Sequence, residues 1–217
     1  MRKLILPAML VAVWLPCQVA ANTVDFSFVG PGVSGNIQLT YGTATDAKYA
    51  QAFEVTGISG TFSDSNNGLN LVNVPIGPLE PITHDTPEPG NTLAPNDFSR
   101  FAVASGLPAD NNGFLTYDNL YYPGGSPQTA NDYPGAGGIL DIYGLMFDIG
   151  GGTVVDLFSN GDFGGGPDYG VGVANSAKAL DYVAGGVVVT PEPGALPVLI
   201  TALIGMLAWR VRRSVVG

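Results

Sequence analysis

No stretch between residues 22 and 190 carries apolar residues at helical spacing for three turns, and that excludes a helical domain. Short β-prone runs recur instead, each closed by Gly, Pro, Asn or Asp. Val24 to Val29 sets Val24, Phe26 and Phe28 on one face and Asp25 and Ser27 on the other. Asn36 to Tyr41 alternates Ile37, Leu39 and Tyr41 with Gln38 and Thr40. Further strands are expected over Gln51 to Ile58 and Gly60 to Ser63, with Gly57 and Gly60 marking bends or bulges. Leu69 to Val74, Phe98 to Ala104 and Phe114 to Tyr117 are weaker runs. Ile139 to Ile149 and Thr153 to Phe158, joined by Gly150-Gly151-Gly152, read as a hairpin. Tyr169 to Ala174 and Tyr182 to Val189 complete the set. About ten short strands in one domain predict an all-β fold, a single β-sandwich with a jelly roll as the favoured form.

Two loops interrupt the pattern. Pro75 to Asn96 holds six prolines and is expected to run over the surface, and Tyr121 to Gly138 is rich in Gly, Pro and Tyr.

The ends of the chain differ from the middle. Arg2 and Lys3 precede an apolar stretch, Leu4 to Leu15, and Val19-Ala20-Ala21 offers the small residues of a cleavage site. Residues 1–21 therefore read as a secretory signal peptide, with Asn22 as the mature N-terminus. Cys17 follows Trp14-Leu15-Pro16, a poor context for lipid attachment, and it is the only cysteine. The exported domain, residues 22–189, must then be held by core packing without disulfides. Both tryptophans, Trp14 and Trp209, also lie in the terminal segments. Only Lys48, Arg100 and Lys178 stand against 17 acidic residues between residues 22 and 190. Such a surface repels nucleic acid and anionic lipid.

Residues 190–217 read TPEPG, then an apolar run from Ala195 to Trp209, then Arg210, Arg212 and Arg213. Pro191 and Pro193 fix φ and remove donors, so Pro191-Glu192-Pro193 is expected to be stiff and exposed. The 16 residues from Gly194 to Trp209 would make about 24 Å of helix, slightly short for a bilayer core. Snorkelling arginines and local thinning close that gap, giving one transmembrane helix over 195–209 with a basic membrane-stop tip. The chain carries its own control. Thr86 to Gly90 also reads TPEPG but is followed by Asn91, Thr92, Pro95, Asn96 and Asp97, so there the tripeptide is only a proline-rich turn.

The ordered tail (Pro-Glu-Pro, short apolar helix, basic C-terminal tip) resembles the PEP-CTERM sorting signal of Gram-negative bacteria. DFSFVGPGVSG at Asp25 to Gly35 and VTGISGTFSD at Val55 to Asp64 are also similar to members of that group. The resemblance implies that Pro191, Glu192 and Pro193 are recognised by a membrane-embedded exosortase, and that the helix and arginine tip are removed or exchanged. It implies as partners the signal peptidase and export machinery, the exosortase and exopolysaccharide. The inner membrane would hold the chain transiently before it reaches the cell surface or extracellular matrix.

Motifs for chemistry are sparse. Gly30-Pro31-Gly32-Val33-Ser34-Gly35 matches G-x-G-x-x-G, but a strand pattern follows it where a dinucleotide site needs a helix. His84, the only histidine, sits in the proline-rich loop, with no nucleophile elbow to serve. One imidazole and no mature cysteine exclude a usual zinc set. Asp141 and Asp148 lie too far apart along one strand to act as a pair, and Asp156, Asp162 and Asp168 are further carboxylates for a glycosidase. Asp64-Ser65-Asn66-Asn67-Gly68 has the spacing of a calcium loop, with Asp64 and Asn66 as candidate ligands, and Asp110-Asn111-Asn112-Gly113 is a looser version. Asp and Asn also build such turns without metal. Tyr117, Tyr121, Tyr122 and Tyr133 are the candidates for a sugar-stacking face, but strand tyrosines in a sandwich more commonly pack into its core, and no tryptophan lies between residues 22 and 190 to add a larger platform.

The expected function is that of an exported, non-enzymatic surface or matrix protein with no cofactor. A carbohydrate-binding module assisted by calcium is the alternative, and a secreted glycoside hydrolase the lesser one.

Overall fold

The computed structural model describes residues 21–47, 49–83, 100, 102–103, 116–127, 137–162 and 164–191. Residues 1–20 of the expected signal peptide, the tail beyond Pro191 and the second TPEPG segment lie outside these residues. So does the helix expected over 195–209. Among the described residues no helix is long and apolar enough to cross a membrane.

The all-β expectation holds. The strands are β1 (Asn22–Val29), β2 (Val33–Thr45), β3 (Phe53–Asp64), β4 (Leu71–Pro75), β5 (Ala102–Val103), β6 (Thr116–Tyr117), β7 (Leu120–Tyr121), β8 (Leu145–Asp148), β9 (Thr153–Asp162), β10 (Pro167–Asn175) and β11 (Lys178–Pro191). The three glycines of the β8–β9 turn, Gly150, Gly151 and Gly152, all have positive φ, which explains why that turn is built of glycine.

The architecture differs from a jelly roll. Strand order in the main sheet is β4-β3-β2-β1-β11-β10-β9-β8, with β7 paired to β3. Two antiparallel meanders, β1–β4 and β8–β11, thus join through their terminal strands into one curled sheet, a half-barrel. β11 makes the join. Its first part pairs with β10, and from Val188 it pairs with β1. Near the end of the β10 pairing the register jumps, from Val171↔Val183 to Tyr169↔Val187. Such a bulge bends a strand and deepens the local twist. It is held in place: Gly186 N donates to Asp168 Oδ1 at 2.7 Å, and Asn160 Nδ2 donates to Ala184 O at 2.7 Å. A second bulge in β3 lies beside Gly57, between Thr40↔Gly57 and Tyr41↔Val55. Curling replaces a second separate sheet as the way of covering the apolar face.

The start of the proline-rich stretch is not a surface loop. After β4 on one edge of the sheet, the chain reaches β8 on the other. Gly77 N donates to Asp148 O (2.7 Å), Asp148 N to Pro78 O (3.0 Å) and Glu80 N to Met146 O (2.9 Å). Pro78 contributes only its carbonyl there, so its missing N–H costs nothing.

Phe26, Phe28, Ile37, Leu39 and Phe62 from one meander pack with Leu145, Phe147, Val155, Leu157 and Val171 from the other. Each such side chain contributes about 1.5–3 kcal/mol on burial. A smaller layer lies outside: Ala102, Tyr117 and Ile82 cover Met146, Val154 and Ala174 on the convex face of β8–β10.

β8 is shorter than the expected Ile139 to Ile149. Gly144, at φ +69°, breaks the strand, and residues 139–144 fold into bends that bury Leu140 and Asp141.

Candidate functional site

Among the described residues the candidate tyrosines pack inward and form no sugar-stacking face. Tyr117, Tyr121 and Tyr122 are buried. Tyr117 Oη donates to Pro81 O (2.8 Å), Tyr121 packs on Tyr41 with ring centroids 5.0 Å apart, and Tyr122 Oη donates to Asp141 Oδ2 (3.1 Å). Their rings fill the core layers, and none is free to stack on a sugar. Tyr133, His84, Glu192, Pro193, Arg210, Arg212 and Arg213 lie outside the described residues, and Pro191 ends β11. Within Gly30 to Gly35 a tight turn, closed by Gly30 N to Val33 O (2.9 Å), passes at Val33 straight into β2.

What the fold gathers instead is carboxylates. Asp118, Asp141 and Asp156 are all buried. Asp118 follows β6, Asp141 lies in the bends before β8, and Asp156 sits in β9. Asp118 and Asp141 are hydrogen-bonded to each other. Asp141 also accepts from Tyr122 Oη, Tyr143 N (3.0 Å) and Gly144 N (3.2 Å), while Leu120 N donates to Asp118 Oδ1 (3.1 Å). Burial pushes the Asp118 carboxyl well up, and the neighbouring Asp141 adds to this. Burial likewise raises Asp141, against the pull of its donors. The pair holds a proton between two oxygens that cannot both stay charged in so dry a place. Carboxyls in contact leave no room for a sugar ring and a water, so the pair lacks the spacing of a glycosidase dyad.

Asp156 is different. It is 1% exposed, its Oδ1 has no hydrogen-bond partner, and burial followed by the charge of Asp141 drives its carboxyl well above the ordinary range. It occupies the convex face in a cross-strand row with Gly172 and Tyr182. Tyr182 is half-exposed and stacks on Phe158 at 6.1 Å. Asp162 and Asp168 do not join it. Asp162 Oδ1 accepts from Gly164 N and Gly166 N, and Asp168 pins the β11 bulge. Asp148 turns to Gly150 N at the hairpin.

The Asp64 loop acquires a partner that sequence reasoning missed. Asp64 closes β3, Asn66–Gly68 form a single 3-10 turn, and Asp181 of β11 lies against them. Asn66 Nδ2 donates to Asp181 Oδ2 (2.9 Å) and to Pro31 O (3.0 Å). Asn67 Nδ2 donates to Asp181 Oδ1 (2.8 Å) and to Leu180 O (3.2 Å). Asn66 N donates to Asp64 Oδ1 (2.7 Å), whereas the buried Asp64 Oδ2 has no donor. Burial raises the Asp64 carboxyl to about 6, with Asp181 adding to the rise and the Asn66 N–H opposing it.

One sequence signal marks two of these acids as buried. Asp141 and Asp156 each stand alone inside an apolar run, Ile139-Leu140-Asp141-Ile142-Tyr143 and Val154-Val155-Asp156-Leu157-Phe158. An acid at a core position of a strand needs a partner or a proton. No comparable signal points from Asp64 to Asp181.

Comparisons of the chain with protein-family models, with curated proteins and with solved structures gave no match.

Proposed function

We propose that this is an exported, non-enzymatic β-domain, delivered by an exosortase-type system through its C-terminal tail to the cell surface or exopolysaccharide matrix. The carrying observation is the sequence of the tail: Pro191-Glu192-Pro193, then the apolar run Ala195 to Trp209, then Arg210, Arg212 and Arg213. The fold supports the reading in one respect. β1 and β11 are antiparallel neighbours with Phe26 opposite Pro191. Asn22 is thus about 13 Å further along in the direction in which β11 exits, so the leader junction and the tail leave from the same end of the domain. A domain attached at that end presents its β1–β2 turn outward. Signal peptidase, the export machinery and the exosortase are the partners in this proposal, and the inner membrane is a transient station.

The alternative of a tyrosine-faced carbohydrate module has lost its named face among the described residues, and no other observation favours it over the first reading.

Replacing Glu192 with Ala, or deleting residues 195–213, tests the sorting step in the host. The expected outcome is unprocessed or misplaced protein, read by fractionation and immunoblotting. Normal processing of both variants would overturn the proposal.

A further inference from the structure

We propose that the junction of Asp64 and Asp181, at the outward end of the domain, is a calcium site. The two carboxylates come from different halves of the sheet, Asp64 from the first meander and Asp181 from the second. Both are buried, and Asp64 is fully enclosed. Among the described residues no ion pair reaches either of them. Asp64 Oδ2 has no hydrogen-bond donor and faces a second carboxylate. Two like charges enclosed together require either a proton or a cation between them.

The surroundings select the cation. Pro31 O and Asp181 Oδ2 both lie within about 3 Å of one atom, Asn66 Nδ2. Leu180 O and Asp181 Oδ1 similarly converge on Asn67 Nδ2. Turned end for end about their Cβ–Cγ bonds, the two amides would present oxygen in place of nitrogen. The set then becomes two carboxylates, two amide oxygens and two main-chain carbonyls, all oxygen and with no sulfur or imidazole. That is the ligand chemistry of calcium, which tolerates irregular geometry, and it is foreign to zinc. Among the described residues no third acidic, cysteine or histidine ligand joins the group. Two carboxylates alone place the affinity in the range of extracellular calcium modules, about 10⁻⁴ to 10⁻³ M. A bound ion would tie the β1–β2 turn, the end of β3 and β11 together at the end of the domain remote from the tail. The site is independent of how the tail is processed.

The test is thermal unfolding of the full chain in detergent at neutral pH, with EGTA, with about 10 mM magnesium and with about 10 mM calcium. Calcium is expected to raise the Tm by about 3–10 °C and magnesium by much less. Asp64→Asn and Asp181→Asn each remove the clash of charges, so both variants fold without calcium and lose the response to it. Asp25→Asn, on the exposed face of β1, keeps the response. The proposal is overturned if the wild-type Tm does not move with calcium. It is equally overturned if magnesium matches calcium, or if either junction variant responds as the wild type does, since that marks diffuse binding to an acidic surface. Should one junction variant fail to fold, the other decides.

Discussion

β1–β3 and β8–β10 are built from similar alternating or apolar strands, yet they have opposite relations to water. In β1 and β2 burial alternates: Phe26, Phe28, Ile37 and Leu39 point into the core while Thr23, Gln38 and other polar residues stay in solvent. In β8, β9 and β10 nearly every central residue is buried, because Ala102, Tyr117 and Ile82 close over the convex face. One consequence is chemical. An acid on the outer face of β1, Asp25, is solvated and bonded to Gln38, whereas an acid on the outer face of β9, Asp156, is enclosed and lacks a donor. The same strand position thus has different electrostatics according to what lies above it.

The largest effect expected from this comparison is in packing. Met146→Ala should cost about 2–5 kcal/mol in denaturant unfolding, because a side chain enclosed on the covered outer face of β8 leaves a cavity. Gln38→Ala on the exposed face should stay within about 0.5 kcal/mol. Equal costs would erase the distinction between the two regions. Backbone geometry comes next. A Cβ at Gly144 would sit 2.0 Å from Leu157 O, at φ +69°, so Gly144→Ala should cost about 1–3 kcal/mol. At Gly42, with open space and nothing nearer than 3.8 Å, the same change should be mild.

The smallest effect is electrostatic and depends on pH. Asp64, Asp118, Asp141 and Asp156 hold protons more tightly folded than unfolded. Their contribution is present in full below the ordinary value of 3.8 and is lost as pH rises through the raised folded values, for Asp64 through about 6. In EGTA the domain should therefore melt at higher temperature near pH 4.5 than near pH 8. Asp156→Asn should flatten part of this slope and raise the Tm at pH 8. A melting temperature that climbs steadily from pH 4.5 to pH 8 would contradict these assignments.

These contrasts also show where the sequence is readable. Local alternation and glycine placement located β1, β2 and the β8–β9 hairpin, because each is specified by residues close in the chain. The curl and the closing pairing of Gly77 to Glu80 with β8 were hidden, since both depend on strands far apart in sequence. The tyrosines are ambiguous in the sequence because their neighbours are Gly, Asp and Pro. Their burial is set by distant partners, Pro81 for Tyr117 and Tyr41 for Tyr121. Asp64 and Asn66 were visible as a loop, but the group that gives them chemical interest, Asp181, arrives from the opposite meander.

The sorting claim stands on residues at the two ends of the chain, and one measurement reads both. Mass spectrometry of the protein recovered from the surface or matrix of the native host should give an N-terminus at Asn22 and a C-terminus lacking the apolar run from Ala195 to Trp209. A recovered chain that still runs through that segment to Gly217 would contradict the account and make the tail a plain membrane anchor.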